Sequence, residues 1–594
     1  MSIQKRSRGR RGMALVATLM VLLVILSVML VGQIGAVSSG HTGVMTVTSN
    51  ALAASGSRTQ AVSAFNMAQS GVNLTMYWLG TLPQPPSYTV AFAPTGSNGL
   101  PGATSVGSPA RAQIVPNSAK PTDYFTVEVY PDSSNPTNTQ KKFLIESVGT
   151  SSGFTQIIRA YVEQTSLSKY EVLLNSWYPS NNYWVQGLSS FDGPVHDNND
   201  GGQQENTLWL SSGGASPLFT YTGNDAYTVS SAGVNWYEDN YWTSGAPTTT
   251  SDWSKVAVGG ASSVHTGTDA VTFPTASTLQ QTAALGGTSA PTATGVTVPN
   301  AAGAAVGGVY IHGNVNTMKL SVGNPDTTQQ IITINQTGAS SSTIVTTVTM
   351  KPSTNQTIVQ VTTTSSSGVV TTGAPTPYSG TTNGVIYADG NIGTGTPSTE
   401  TSPGWATGGT AAGGLSGVIA DNVVDGNGRI THANSLTIST AGPNTLLNFD
   451  GKVTYNTPRQ KVAGNYVPES QDANFTQHAG VLGVIGGYVT LDQNKDDGTP
   501  LTDFEFDGTE FAYNSCDADN WASRPPANWE NMGSYISSVV GVFGVFDGSN
   551  TLVDGYNTQF NYDQRLRDSP PPYFPTTGNQ YDTVSWQRVA STLQ

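Results

Sequence analysis

The sequence predicts an α+β, mainly β fold, with one long N-terminal helix, a small antiparallel sheet, and then a large β-rich body of parallel β-helix type. Three observations predict it. An apolar run at residues 13–31 is followed by apolar residues at helical spacing as far as Leu79. Residues 124–164 alternate apolar and polar side chains between turn residues, the pattern of half-buried antiparallel strands. Beyond residue 300, short apolar phrases closed by Gly, Asp or Asn recur, as expected where each rung buries its apolar side on the next.

Composition sets the bounds. Only 10% of the 594 residues are charged, well below the average of about 25%. The balance of 24 basic and 38 acidic residues gives −14, so no basic footprint for nucleic acid exists. With 66 Gly and 33 Pro but 37% hydrophobic residues, the chain has ample apolar surface to bury and reads as strands and turns, not as a disordered polymer. The lone cysteine, Cys516, excludes an intramolecular disulfide framework and any multi-cysteine metal site, and its role stays open.

The first element is the apolar run. Lys5, Arg6, Arg8, Arg10 and Arg11 precede it, and no charged residue follows until Arg58. About 20 apolar residues suffice to cross a bilayer, and the basic cluster favours a cytoplasmic N-terminus. This predicts an inner-membrane single-pass segment with an extracytoplasmic body, displayed at the cell surface or on a pilus after assembly. A secretory signal peptide cut near residues 32–36, or a plain anchor, would account for the same run.

The junction Arg11-Gly12-Met13-Ala14-Leu15-Val16 resembles the class III signal of type IV prepilins, and the residues that follow resemble the start of PilX-like minor pilins and of large pseudopilins. The resemblance implies cleavage by a prepilin peptidase between Gly12 and Met13. It also implies packing with other pilins through the N-terminal helix. Ala17 stands where the family carries a glutamate at the fifth mature position, a departure that points to a minor subunit.

Val62, Phe65, Ala68, Val72, Met76 and Leu79 then fall on one helical face, and Ala68-Gln69-Ser70-Gly71 resembles the step that ends the pilin helix. The glycines at 32, 35, 40 and 43 predict a softened stretch before it. The strand series that follows resembles the strand, glycine turn, strand passage of pilin-like globular domains. The phrases Phe191-Asp192-Gly193-Pro194-Val195-His196 and Tyr562-Asp563-Gln564-Arg565, with Pro570-Pro571-Pro572-Tyr573-Phe574, resemble an uncharacterised group of large extracytoplasmic proteins with PilX-like N-termini. The β-branched stretch 327–372 predicts long strands or a projecting hairpin.

These boundaries give a leader at 1–12, a transmembrane and assembly helix at 13–80, and a sheet domain at 81–166. An aromatic-rich β region with a linker covers 167–306. A β-helix-like body covers 307–560 with its insertion at 327–372, and a tail at 561–594 packs on the body.

No phosphate loop, nucleophile elbow or zinc-spaced histidine pair occurs, so no catalytic residue and no cofactor is expected, and the chain is read as a non-enzyme. The one metal candidate is Ca²⁺ at Asp492, Asn494 and Asp496, which alternate as a calcium loop requires, although Lys495 opposes them and Gly498 comes one place late. A weaker copy lies at Asp197, Asn199 and Asp200. The aromatic group Trp236, Tyr237, Tyr241 and Trp242 could stack on a carbohydrate or surface ligand, or fill a core.

The functional expectation is a minor pilin or pilin-like component of a type IV pilus or related filament, displaying its β-rich body. The alternatives are an inner-membrane-anchored adhesin or envelope scaffold outside any filament, and a carbohydrate-active enzyme whose carboxylates come from different rungs.

Overall fold

A computed structural model describes residues 42–81, 91–96, 99–131, 142–176, 184–185, 190–198, 207–209, 217–230, 235–238, 241–243, 249–395, 412–463, 465–491, 503–518, 525–540, 543–546, 551–577 and 581–589. Helix α1 spans Thr42–Thr81 and buries Ala64, Ala68, Val72, Thr75 and Leu79. These residues recur at three- and four-residue intervals and so form one stripe. They meet an antiparallel sheet of β1 (Thr104–Val106), β2 (Arg111–Ile114), β3 (Tyr124–Pro131), β4 (Lys142–Ser151) and β5 (Phe154–Glu163), whose inner face contributes Val127, Val129, Phe143, Ile145, Ile158 and Ala160. Gly149 sets the closeness of this contact. A Cβ there would lie 2.1 Å from the Ala64 carbonyl oxygen and 2.3 Å from the Ala68 nitrogen.

On the opposite face Glu128 and Glu146 stand directly across from each other, an arrangement that like charges disfavour. Arg111 bridges both, and Arg159 Nε donates to Glu146 at 2.7 Å. Burial alone would raise the Glu146 carboxyl, but the two guanidinium groups outweigh it and hold the group below its usual range.

The sixth strand of this sheet is C-terminal: Asp582–Val589 pairs antiparallel with β5. The whole body is therefore inserted between two neighbouring strands of one sheet. Where the chain leaves and returns, it is clamped by Leu167 N donating to Pro575 O and Thr577 N to Thr165 O, each at 2.9 Å.

In the body, parallel pairing builds one continuous column of ten residues: Val309, Ile386, Ile438, Val484, Glu510, Tyr535, Val172, Val195, Tyr227 and Val264. At about 4.8 Å per strand the column is roughly 43 Å tall. A second column runs Leu320, Gly417, Val453, Phe506, Asn531 and Phe560, and a third Val315, Ile392, Leu447, Val489 and Cys516. The chain thus winds as a three-sided coil around one apolar core.

The rungs do not follow chain order. Residues 172–266 climb away from the centre of the stack. The chain then runs back along its outside, with Phe273 against Phe511 (centroids 5.8 Å apart) and the helix Thr278–Leu285 beside Tyr310 and Tyr387. It restarts at Val309 and climbs to Tyr535, directly below Val172. The junction is reinforced in the second column, where the Phe191 ring stacks between Phe560 (6.0 Å) and Phe219 (5.7 Å).

Strands Gln330–Thr337, Thr343–Lys351 and Gln356–Thr364 extend the rung Thr317–Val322 as an antiparallel meander. One face, with Ile332, Ile334, Val348 and Met350, packs into the core.

Two expectations are corrected. Among the described residues the fold is mainly β, 48% strand against 16% helix, and not the expected α+β class; the helix expected from Met13 lies outside them as far as residue 41. The body is not a sequential β-helix, because its rung order departs from chain order and an antiparallel meander branches from it. The physical reason is that parallel pairing needs matched apolar faces and imposes no chain order. The second correction concerns localisation. No helix among the described residues is long and apolar enough to cross a membrane, which removes the structural basis for the single-pass inner-membrane placement. The run 13–31 on which it rested lies outside the described residues.

Two outcomes follow. Replacing Gly149 with Val forces side-chain atoms into the α1 backbone, so it should cost about 3 kcal/mol and lower the first thermal transition, whereas an unchanged melt would contradict this contact. Glu510 is the one charged residue of the ten-residue column, and burial pushes its carboxyl up to about 8, against hydrogen bonds from Cys516 and Asn531. Its folded pKa exceeds the unfolded value of about 4.3, so its contribution is complete below that value and is lost as pH rises through about 8. Denaturant midpoints between pH 5 and 9 should therefore fall less steeply for Glu510→Gln than for the parent. Superimposable profiles would refute this.

Candidate functional site

A cleft lined by ionisable groups lies on the outside of the coil, where three rungs contribute. The strand Phe504–Ala518 begins Phe504-Glu505-Phe506-Asp507. Alternation turns Phe504 and Phe506 inward against Phe449, at centroid distances of 5.5 and 5.0 Å, and turns Glu505 and Asp507 outward. On the next rung Glu530 stands in register with Glu505, and Met532 with Asp507. From the rung below, the chain leaves Leu446–Tyr455 and folds over this face as a small antiparallel ribbon, Lys461–Val462 with Asn465–Tyr466.

The cavity beneath the ribbon measures about 230 Å³ and is lined by Pro458, Arg459, Lys461, Tyr466, Glu505, Asp507 and Met532. Lys461 Nζ donates to both Glu530 oxygens at 2.6 and 2.8 Å, and the Tyr466 hydroxyl donates to Glu530 as well. Lys461 also lies over the Tyr466 ring, 4.4 Å from its centroid. Arg459 is held by the carbonyls of Val467 (2.9 Å) and Tyr562 (3.3 Å), with Glu469 at 3.8 Å. Glu505 meets Lys452 Nζ at 3.4 Å.

Asp507 forms the floor and is only 3% exposed. The Tyr455 amide donates to its Oδ2 at 2.8 Å, while Oδ1 carries no hydrogen bond among the described residues. Burial raises this carboxyl well above the usual range, and nearby Glu505, Asp563 and Glu530 add to the shift, against the Tyr455 amide.

Behind the cleft, Arg565 donates to Asp563 from Nε (3.0 Å) and Nη2 (2.7 Å), and its guanidinium lies over the rings of Tyr455 (5.0 Å) and Phe475 (4.0 Å). The Tyr455 hydroxyl donates to Asp563 at 3.1 Å. This buried group fixes the strand that supplies the Tyr455 amide to Asp507.

Several residues singled out from the sequence have clear places. The two distant phrases come together: the Tyr562 amide donates to Asp192 Oδ1 at 2.6 Å, and Gly193 N donates to Glu171 Oε2 at 2.7 Å. Asp197 ends a rung, and His196 lies between Thr228 Oγ1 (2.7 Å) and Asn198 Oδ1 (2.9 Å), where burial lowers its pKa to about 4 and keeps it neutral. His312 Nδ1 lies 2.5 Å from Asp389, which also accepts from Tyr310 OH (3.1 Å) and Gly313 N (2.6 Å). Cys516 is buried beside Glu510. The processing pair Gly12 and Met13, the loop with Asp492, Asn494 and Asp496, and Asn199 and Asp200 lie outside the described residues. Sequence reasoning missed Lys461, Tyr466, Glu505, Asp507 and Glu530, which come from separate rungs. The aromatic–acid alternation at 504–507 was the one local signal.

No family model matches the chain, and no curated protein matches it. Among solved structures it is similar to a competence-associated pilin, ComZ, from Thermus thermophilus, with 12% identity over 89% of this chain and 98% of that one, at a TM-score of 0.26. That neighbour is a competence pilin, not one of the PilX-like proteins that the N-terminus resembles, and a score this low carries no argument about fold or role.

Proposed function

We propose that this chain is a pilin-like structural subunit of a type IV pilus or related filament, which carries the β-rich body as its displayed part. The observation that supports the reading is the unit formed by α1 and its sheet. The second half of an amphipathic helix is laid across an antiparallel sheet, and that sheet holds a body of about 400 residues as an insertion between adjacent strands. The Arg11-Gly12-Met13 junction adds the cleavage signal. In this reading a prepilin peptidase cuts between Gly12 and Met13, the chain assembles with other pilins through its N-terminal part, and the body reaches its targets from the filament. Cleavage removes five basic residues and no acidic ones, so the side-chain charge moves from −14 to 19 − 38 = −19.

Intact mass spectrometry of the chain produced together with a prepilin peptidase checks this. Loss of residues 1–12 is expected. A mass that retains Met1 would contradict the reading.

A further inference from the structure

We propose that the cleft between the ribbon 461–466 and the outer face of the strand Phe504–Ala518 binds one neutral sugar ring, a pyranose unit of a glycan. The size of the cavity, about 230 Å³, sits below the usual range for drug-sized ligands and suits a single ring.

The chemistry of the walls narrows the class. Both cations of the lining are already committed, Lys461 to Glu530 and Arg459 to two carbonyls and Glu469. An anionic ligand would find no uncommitted cation among the described lining residues and would face Glu505. A cationic ligand would enter between Arg459, Lys461 and the Lys452 that accompanies Glu505. What remains open to a ligand is hydrogen-bond acceptance. Asp507 Oδ1 lies at the floor on a nine-tenths-buried side chain with no partner among the described residues, and Glu505 at the rim meets Lys452 at 3.4 Å. A ligand hydroxyl entering the cavity could donate to this oxygen. Along one face of a strand Glu505 and Asp507 are two residues apart, about 6.6 Å, a separation that two hydroxyls of one ring can span. Pro458 and Met532 give the apolar wall that the C–H face of a sugar needs. An uncharged ligand rich in hydroxyl groups answers all of these features together.

This reading does not depend on filament incorporation. The test uses the purified full-length chain and the methyl pyranosides of glucose, galactose and mannose as probes, followed by saturation-transfer NMR and titration. At least one glycoside should receive saturation and bind in the millimolar range. Asp507→Asn and Glu505→Gln should each weaken it about tenfold, the loss of one hydrogen bond to a charged or buried carboxyl. Glu505→Gln alters a rim side chain, so it keeps the test decisive if Asp507→Asn fails to fold. No transfer to any of the three glycosides, or unchanged transfer in a folded Glu505→Gln variant, would overturn the proposal. Neither result bears on cleavage at Gly12.

Discussion

The contact on which the rest of the structure depends is the seating of the strand Val172–Ser176 on the strand Ala527–Val540. Parallel pairing there, with Tyr535 N donating to Glu171 O at 2.7 Å, joins the first rungs of the body to the last. Two stacks that would otherwise each expose an apolar end become one core. The aromatic run of Phe560, Phe191 and Phe219 crosses the same joint. Each such ring pair adds about 0.5–1.5 kcal/mol beyond the area it buries.

The joint also explains the cluster of buried acids near it. Glu171 is fully buried and raised well above the usual range, by burial first and by Asp192 second, and its Oε1 has no hydrogen-bond partner among the described residues. Asp192 is raised by burial too, against the Tyr562 amide. The segment after the last rung therefore locks onto the start of the first. Tyr562 OH donates to Lys169 O at 2.8 Å, and Ser168 Oγ to Leu566 O at 3.0 Å. From there the chain returns to the β5 edge, so the place where the body is inserted and the place where its stack is joined are the same region.

Much of this was legible in the sequence, and the rest was hidden for physical reasons. The stripe from Val62 to Leu79 and the alternation at 124–164 specify a helix on a sheet, because each is a local periodicity. The short phrases at 308–315, 384–392 and 417–423 mark rungs for the same reason. Rung order was not legible. Nothing local in Val172–Ser176 says that its partner is 363 residues later, at Tyr535–Val539, since an apolar parallel strand accepts any matching face. The α+β expectation gave one N-terminal helix too much weight against a body whose strands are individually short. The cleft was hidden for a related cause: Glu505 and Glu530 become neighbours through register, and Lys461 arrives on a ribbon from a third rung. The FDGP and Tyr562-Asp563 phrases stood out in sequence, and their meeting gives that prominence a structural cause.

A single continuous core requires the non-sequential rung order, which a paired cysteine experiment tests directly. Ser176 and Val539 are registered partners on neighbouring parallel strands, a separation that a disulfide can bridge. Asn528 and Asn557, partners on consecutive rungs, provide a control pair. Mild oxidation of Ser176→Cys/Val539→Cys should close an intramolecular disulfide as readily as in the Asn528→Cys/Asn557→Cys control, read by peptide mass spectrometry. A disulfide in the control with free thiols at 176 and 539 would contradict the joint and, with it, the single continuous core.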